Sequence, residues 1–435
     1  MTIRPTLLPR ALRPAACGLL AALSGLATPA LAKDGVVAGE VLMKLQSTAQ
    51  LPTLLAKYNL TLLGSFGARP IYRTRVPAGG SAKDVAAALQ REPGVLVAEQ
   101  NINHESPEGR KNQPWAVGTQ AEYVAQWAPT ALRLPEAHAI SVGANVRVAV
   151  LDTGIDTSHP VFAGKLLPGY DFVDFDTDPS EGGSAANEAW GHGTHVSGLV
   201  LLAAPGAKIM PLRVLNPDGF GNTWMLTEAL LFAVDPDGNP ATDDGAQVIN
   251  MSLSTTTPTK MFYSMAALIS CDVNAPGDPE LDFSDPGYNG DKQRCASSKG
   301  AVVTTAAGNS GSDRRREYPA AESAHGKLSV GASTQARRRA VFSNHGSKVD
   351  VAAPGEGITS TMAGGIYATW SGTSMAAPLA AGTAALLRSR FPAWTPDDIV
   401  DRIDDTTSRL CKTDLRQIDA AAALTNNVPP DGRCR

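Results

Sequence analysis

The sequence has little of several features that mark whole classes of protein. Aromatic residues make up 6% and charged residues 18% of the 435 residues, and the formal net charge is only −4. Because nucleic-acid binding needs a basic excess, we expect no nucleic-acid partner. After residue 32 no apolar run approaches the roughly 18 residues that a membrane helix requires, so we expect no membrane span. The hydrophobic fraction of 43% indicates a folded, globular protein.

The first 32 residues have the composition of an export signal. Arg4, Arg10 and Arg13 precede an apolar stretch rich in alanine and leucine, and Ala30-Leu31-Ala32 places small residues where a signal peptidase cleaves. The apolar stretch is too short to cross a membrane. We therefore predict a signal peptide over residues 1–32 and a secreted protein, either extracellular or periplasmic.

Four cysteines follow the predicted signal peptide, namely Cys271, Cys295, Cys411 and Cys434. An even number of cysteines in an exported chain predicts disulfides, and four of them allow three pairings. We predict the pairs Cys271–Cys295 and Cys411–Cys434, because each pair brackets a polar loop that contains glycine or proline. Free buried thiols are the alternative, and no ligand spacing supports a zinc site.

Three units follow the signal peptide. Residues 33–105 contain strand-like alternation at 39–45, helical periodicity at 82–91 and a second strand at 95–99, which predicts a small α+β domain. Residues 106–125 are hydrophilic and contain proline and glycine, so we predict a linker there. Residues 126–435 alternate short apolar runs with helical segments, which predicts an α/β domain with a doubly wound, mostly parallel sheet flanked by helices.

The elements of this last domain can be predicted individually. Strands are expected at 146–151, 208–214, 246–253, 301–307, 328–332 and 349–352, and helices at 195–203, 223–234, 374–390 and 395–404. In such sheets functional groups collect at the carboxyl ends of the strands, and Asp152 directly follows a strand.

Three short segments carry the residues that suggest chemistry. Asp152 ends an apolar run, His192 lies in Gly-His-Gly-Thr-His, and Ser374 lies in Gly-Thr-Ser-Met-Ala-Ala-Pro. A serine hydroxyl is a weak nucleophile that needs a base and an orienting carboxylate. The order Asp, His, Ser and the spacings of 40 and 182 residues resemble those of the subtilisin-like family of serine proteases.

The resemblance implies a serine endopeptidase that works through an acyl-enzyme. Ser374 would be the nucleophile, His192 the general base, Asp152 its orienting acid and Asn309 an oxyanion donor beside the Ser374 N–H, with His195 as a packed helix residue. Residues 33–105 would be an inhibitory propeptide, released by a maturation cut within 106–125. The implied partners are therefore protein or peptide substrates and the chain's own propeptide. We expect a monomer without an organic cofactor.

The same resemblance implies a substrate cleft. Its walls would be Ser252, Leu253 and Ser254 on one side and Ala306, Ala307 and Gly308 on the other. The family usually has glycine at the position of Ser254. Glu317 takes the place of a glycine at the floor of the specificity pocket, which predicts a preference for Lys or Arg before the cut. The alternative is that Glu317 pairs at the surface with the arginines at 314–316.

One acidic loop suggests a structural Ca²⁺ ion. Its carboxylates are spaced as hard cations require and belong to Asp171, Asp174, Asp176 and Asp178. A solvated acidic loop without metal is the alternative.

Two other functions compete with the protease prediction. A catalytically silent scaffold of the same fold could bind peptides or a partner protein without turnover. A serine esterase of another fold is a weaker match, because the segment around Ser374 lacks the Gly-x-Ser-x-Gly elbow.

Overall fold

The computed structural model describes residues 35–108, 114–271 and 289–430. The strands, in chain order, are β1 Val36–Leu45, β2 Thr61–Ser65, β3 Ile71–Arg75, β4 Val95–Glu105, β5 Ala116–Gly118, β6 Arg147–Asp152, β7 Tyr170–Asp171, β8 Lys208–Arg213, β9 Phe220–Asn222, β10 Val248–Met251, β11 Val302–Ala306, β12 Lys327–Ser333, β13 Val351–Pro354, β14 Ile358–Met362, β15 Ile366–Trp370, β16 Ser408–Arg409 and β17 Arg416–Gln417.

The helices, in the same order, are α1 Leu51–Tyr58, α2 Ala82–Leu89, α3 Gln120–Ala125, α4 Trp127–Ala131, α5 Leu134–His138, α6 His192–Ala203, α7 Thr223–Val234, α8 Lys260–Ser270, α9 Asn289–Ser297, α10 Thr373–Arg390, α11 Pro396–Asp405 and α12 Ala420–Thr425. Short 3-10 turns occupy Thr48–Gln50 and Pro160–Phe162. No helix among the described residues is both long and apolar enough to cross a membrane.

The C-terminal domain, predicted over residues 126–435, is built on the predicted sheet, with strand order β16-β17-β13-β12-β11-β10-β6-β8-β7. β6 pairs in parallel with β8 on one side and with β10 on the other, so the direction of chain progression reverses at β6. This reversal leaves a crevice at the carboxyl ends of β6 and β10, where α/β proteins of this class bind their ligands.

Both faces of this sheet are buried, which explains why its strands are continuous apolar runs. In β6, Val148 and Val150 lie in the core that contains side chains of α6 and α10. Ala149 and Leu151 point the other way, into the core that contains side chains of α7 and α8. The alternation follows from the two-residue period of a strand.

The N-terminal domain is a four-stranded antiparallel sheet in the order β2-β3-β1-β4, to which β9 of the C-terminal domain adds a fifth strand. On one face Val41, Met43 and Leu45 pack with α1 and α2. On the other face Leu42 and Ile71 belong to the same hydrophobic cluster as α7 and α8. The two domains therefore share a core as well as a sheet.

Polar contacts complete the interface between the domains. The Glu99 carboxylate accepts hydrogen bonds from Thr259 Oγ1 at 2.8 Å and from the Lys260 N–H at 2.7 Å, at the beginning of α8. Arg69 forms two hydrogen bonds of 2.8 Å with the Asp291 carboxylate in α9. A carboxylate at a helix N-terminus is favourable because the first N–H groups have no partner in the helix.

Part of the segment predicted as a linker is packed against the C-terminal domain. β5 pairs antiparallel with β15, which in turn pairs with β14. Residues 106–108 continue β4 into the C-terminal domain, and residues 109–113 lie outside the described residues. The domain boundaries and the maturation cut stay predictions.

The disulfide predicted between Cys271 and Cys295 is present, with an S–S distance of 2.02 Å. It joins the end of α8 to α9. Cys434 lies outside the described residues, so the pair Cys411–Cys434 stays a prediction. The predicted signal peptide, residues 1–32, also lies outside them.

Removing this disulfide should destabilise the protein. Its cysteines are 24 residues apart in the sequence, and a bridge closing a loop of this length stabilises by about 3 kcal/mol through the unfolded state. We expect the double variant Cys271→Ser/Cys295→Ser to unfold at a lower urea concentration, with a free energy of unfolding that is smaller by about 3 kcal/mol. As a control, reductant should lower the midpoint of the original protein by more than that of the double variant. Equal effects of reductant on both proteins would contradict the prediction.

Candidate active site

The first part of the site lies where β6 ends and α6 begins. Asp152 is the last residue of β6 and His192 is the first residue of α6. The Asp152 Oδ1 atom lies 2.7 Å from His192 Nδ1 and also accepts the Thr153 N–H at 2.8 Å. Both side chains are at most 1% exposed. The imidazole is therefore held with its Nδ1–H on Asp152 and its Nε2 facing the crevice.

Glycines allow these two segments to approach so closely. A Cβ atom on Gly193 would overlap the Gly154 carbonyl oxygen and the Asp152 side chain. Gly191 precedes the helix in the left-handed region, at φ +80°, where a side chain is strained. A side chain at position 193 would push the helix and His192 away from Asp152, and one at position 191 would collide with Met362.

Ser374 and Asn309 form the second part of the site. Ser374 is the second residue of α10 and is fully buried. Asn309 follows β11, and its Oδ1 accepts hydrogen bonds from Thr373 N and Thr373 Oγ1, both at 2.9 Å. Those two bonds fix the side-chain amide, so its Nδ2 donor points into the space beside Ser374.

A carboxylate from the N-terminal domain occupies the space between these groups. Glu108 Oε2 accepts the Ser374 hydroxyl at 2.7 Å and lies 3.0 Å from His192 Nε2. Glu108 Oε1 accepts Asn309 Nδ2 at 2.8 Å. His192 and Ser374 therefore meet on one oxygen atom of Glu108, and Asn309 binds the other.

The backbone that leads to Glu108 is paired with the predicted cleft. Glu105 N donates to the Ser254 carbonyl at 2.9 Å, and Ser254 N donates to the Glu105 carbonyl at 2.8 Å. On the opposite side Ser106 N donates to the Gly219 carbonyl at 3.0 Å. Glu105 and Ser106 therefore lie as an extended strand between two backbone walls of the C-terminal domain.

Matches to family models agree with this architecture. Residues 143–427 match the model of the subtilase family, and residues 26–101 match that of the fervidolysin N-terminal prodomain. The chain belongs to the subtilase family. It is a serine protease of this family with an N-terminal prodomain.

Individual relatives support the assignment along most of the chain. The thermophilic serine proteinase of Bacillus sp. (strain AK1) is 33% identical over 72% of this subtilase and 67% of its own length. Subtilisin E of Bacillus subtilis (strain 168) is 32% identical over 74% and 72%, respectively. The solved structure of fervidolysin from Fervidobacterium pennivorans has a TM-score of 0.67 and 21% identity, covering 93% of this chain and 63% of its own, which shows the fold.

The two carboxylates beside His192 in this subtilase determine its protonation. Burial opposes the charged imidazole, but Asp152 and Glu108 outweigh burial and raise the pKa of His192 to about 10. Burial likewise opposes the charged Glu108, but its contacts with His192 lower the pKa of Glu108. The raised pKa stabilises the folded precursor most below the ordinary histidine pKa of 6.5, and this contribution disappears as pH rises through about 10.

The neighbouring His195 is a packed helix residue. It is fully buried, and its Nε2 lies 3.0 Å from the Ala368 carbonyl oxygen. Burial, followed by the charge of His192, lowers the pKa of His195 to about 3. This histidine therefore stays neutral, and its Nε2 is occupied by the Ala368 carbonyl.

The Glu317 carboxylate is buried, whereas the neighbouring arginines at 314–316 are exposed. It is 2% exposed and accepts hydrogen bonds from Ser254 Oγ at 2.8 Å and Ser310 Oγ at 3.0 Å. A Cβ atom on Gly308 would collide with the carboxylate, so Glu317 lies directly behind that wall residue. Ala306 and Ala307 precede Gly308 and are also buried.

The acidic loop predicted to bind Ca²⁺ contacts an arginine. Arg213 Nη1 donates to Asp171 Oδ2 at 2.5 Å and to Asp174 Oδ2 at 2.6 Å. Asp176 and Asp178 cap turns of the loop by accepting backbone N–H groups. Carboxylates that neutralise a guanidinium do not suit a divalent cation, and the described residues contain no cluster of three acidic, histidine or cysteine side chains that could hold one. The Ca²⁺ site stays a prediction.

Glu108 was not predicted to be a functional residue. It lies in the predicted hydrophilic linker, where an acidic residue followed by glycine indicates exposure. Only the pairing of β4 with β9 and with Ser254 brings the carboxylate to Ser374. The sequence offered one weak signal for Glu108, namely that it lies only three residues beyond the predicted end of the propeptide.

Replacing Glu108 by glutamine should lower the pKa of His192. The change removes one of the two negative charges that favour the imidazolium and leaves Asp152 in place. Titration of ¹⁵N-labelled imidazoles by NMR, in the uncut Ser374→Ala precursor, measures this pKa directly. The matched control Glu99→Gln removes a prodomain carboxylate that binds α8 instead of the imidazole, and should leave the pKa unchanged. An unchanged His192 pKa in Glu108→Gln would refute the prediction.

Proposed function

We propose that this subtilase is a secreted endopeptidase, made as an autoinhibited precursor, which hydrolyses peptide bonds through an acyl-enzyme at Ser374. The observation that carries the proposal is the binding of Glu108 by His192, Ser374 and Asn309. The Glu108 carboxylate has the same two oxygens as the acid product of proteolysis. One of them lies beside the Ser374 hydroxyl and the other beside the Asn309 amide. A site that binds this shape is suited to the tetrahedral oxyanion of acyl transfer.

The reaction follows from the positions of these groups. Ser374 Oγ attacks the substrate carbonyl carbon while its proton passes to His192 Nε2, and Asp152 holds the imidazole in the required tautomer. The oxyanion accepts hydrogen bonds from Asn309 Nδ2 and the Ser374 N–H. The intermediate collapses when the C–N bond breaks and His192 protonates the leaving amine. Water then attacks the ester by the same route, releasing the acid and restoring Ser374.

The substrate would bind as an extended strand. The prodomain residues Glu105 and Ser106 already show this arrangement between Ser254 and Gly219. Main-chain hydrogen bonds of this kind hold a peptide without reading its side chains. They explain how one cleft could accept many protein or peptide substrates, with Ser252 and Leu253 continuing the same wall.

Autoinhibition would follow from direct competition. While β4 and Glu108 occupy the cleft, no substrate carbonyl can reach Ser374 or Asn309. The prodomain is attached to the peptidase domain, so its effective concentration is high and inhibition persists until the connecting segment is cut. We place that cut within residues 106–125.

Export is supported by two independent features. Residues 1–32 have a signal-peptide composition, and the Cys271–Cys295 disulfide suits an oxidising compartment outside the cytoplasm.

Labelling with a fluorophosphonate tests the proposed chemistry. We expect the processed enzyme to become labelled at Ser374 and to lose activity in proportion, because only an activated serine is phosphonylated. The uncut precursor should react more slowly, since Glu108 covers the hydroxyl, and Ser374→Ala should not react. A processed, folded protein without labelling at Ser374 would instead be a silent peptide-binding scaffold.

Glu317 would give the enzyme a preference for Lys or Arg before the cut. Its carboxylate lies behind Gly308 in the wall of the cleft, where burial makes its field stronger than at a surface. Ser254 occupies a position where the family usually has glycine and donates to this carboxylate. The two residues that differ from the usual glycines of the family, Ser254 and Glu317, are therefore hydrogen-bonded to each other.

The variant Glu317→Gln should lose this preference. Removing the charge should reduce kcat/KM about tenfold or more for substrates with Lys or Arg before the cut, and much less for Leu or Phe. A peptide library with that position varied measures the ratio, with the exposed Glu356→Gln as control. If the unmodified enzyme shows no enrichment of Lys or Arg at that position, the proposed preference is wrong.

The maturation cut offers an internal check of the same preference. Arg110 and Lys111 are the only basic residues within 106–125, so self-cleavage with this preference should place the mature N-terminus directly after one of them.

A further inference from the structure

A third carboxylate lies beside the Asp152–His192 pair and has no role in the reaction above. Glu181 belongs to the loop between β7 and α6, and its side chain points toward the beginning of that helix. Its Oε1 accepts hydrogen bonds from Thr194 N at 3.0 Å, Thr194 Oγ1 at 3.0 Å and Thr153 Oγ1 at 3.2 Å. Its Oε2 accepts the Gly191 N–H at 3.3 Å.

Both threonine hydroxyls have a proton to donate to Glu181. Thr153 Oγ1 accepts the Gly193 N–H at 2.9 Å, and Thr194 Oγ1 accepts the Asp156 N–H at 2.8 Å. Each hydroxyl has one proton, which is therefore available for Glu181 Oε1. Three donors converge on this one oxygen, so the position requires an acceptor.

The partners of Glu181 are the residues that adjoin the proposed catalytic groups. Thr153 follows Asp152 in the chain, while Gly191 and Thr194 flank His192. The main chain of Glu181 is also tied to the first of these segments, since its N–H donates to the Ile155 carbonyl at 3.2 Å. One residue therefore connects the strand end that presents Asp152 to the helix start that presents His192.

We infer that Glu181 is a positioning residue, which keeps the His192 imidazole in register with Asp152 and Ser374 by joining Thr153 to the first turn of α6. The inference rests on the proposed proteolytic function. Glu181 contacts neither the substrate cleft residues named above nor Ser374. Its effect would pass through the orientation of His192, where a displacement of about 1 Å can reduce the rate about 100-fold.

Burial and charge explain why this carboxylate is tolerated. Burial raises the pKa of Glu181 to about 7, the donors from Thr194 oppose that rise, and the charge of Asp152 adds to it. A neutral acceptor of the same length can therefore replace most of its function. This makes glutamine the conservative substitution and leucine, of similar volume without an acceptor, the disruptive one.

Kinetics of the processed enzyme test the inference. In Glu181→Leu we expect kcat to fall about 10- to 100-fold with KM nearly unchanged, because orientation of the base is lost while the cleft remains. Glu181→Gln should recover most of this loss. The same two substitutions at Glu188, an exposed residue of the same loop, are matched controls and should have no effect. Activity of Glu181→Leu within twofold of the original enzyme would overturn the inference, as would a Gln variant as slow as Leu.

A second measurement does not depend on turnover. In the Ser374→Ala precursor, the proton between His192 Nδ1 and Asp152 should give a downfield NMR resonance. We expect the Leu variant to lose or shift this resonance and the Gln variant to keep it. If Glu181→Leu does not fold, Glu181→Asp withdraws the acceptor by one methylene and should behave in the same way. An unchanged resonance in these variants refutes the inference, whereas an original enzyme that resists fluorophosphonate refutes only the proposed function.

Discussion

Three hydrogen-bond donors from three separate elements converge on the carboxylate of Glu108, and the arrangement of the precursor depends on that contact. A buried carboxylate is costly unless it is paired and hydrogen-bonded. Here His192 supplies the opposite charge, and Ser374 and Asn309 supply the remaining donors. Satisfying one charge therefore fixes the end of the prodomain, the imidazole, the hydroxyl and the amide in a single geometry.

The sheet explains why these donors come together. His192, Ser374 and Asn309 are far apart in the sequence, but β6, β10 and β11 are adjacent, and α6 and α10 begin near their carboxyl ends. Each donor lies at a position that a parallel strand or a helix start determines, not on a freely moving loop. The buried Asp152 and the partly buried Glu181 hold the same region through their hydrogen bonds to His192, Gly191 and Thr194.

The sequence was most informative where structure is local. The strands β6, β10, β11, β12 and β13 are buried along their length apart from the first residue of β6, so their apolar runs could be recognised, and α7 begins and ends where its periodicity predicts. Asp152, His192, Ser374 and Asn309 were found because each lies within an extended motif. Glu108 and Glu181 lie in polar segments whose partners are distant, so no local pattern distinguishes them from exposed acids.

Glu317 shows the intermediate case. Its residue type at a pocket position was visible in the sequence, but the alternative of a surface pair with the arginines at 314–316 could not be dismissed there. The orientation of the side chain supports the pocket position, because the buried carboxylate accepts hydrogen bonds from Ser254, Ser310 and Asn344. Orientation of this kind depends on non-local packing, which a single sequence does not contain.

The hydrophobic cluster shared by the two domains has a consequence for handling the protein. Leu42 and Ile71 of the prodomain pack in one core with Phe262 and Met265 of α8. Loss of the prodomain exposes part of this hydrophobic cluster to water, and exposed apolar patches promote self-association. The intact precursor should therefore self-associate less than the processed enzyme, and concentrated stocks are best kept as the precursor until activity is needed.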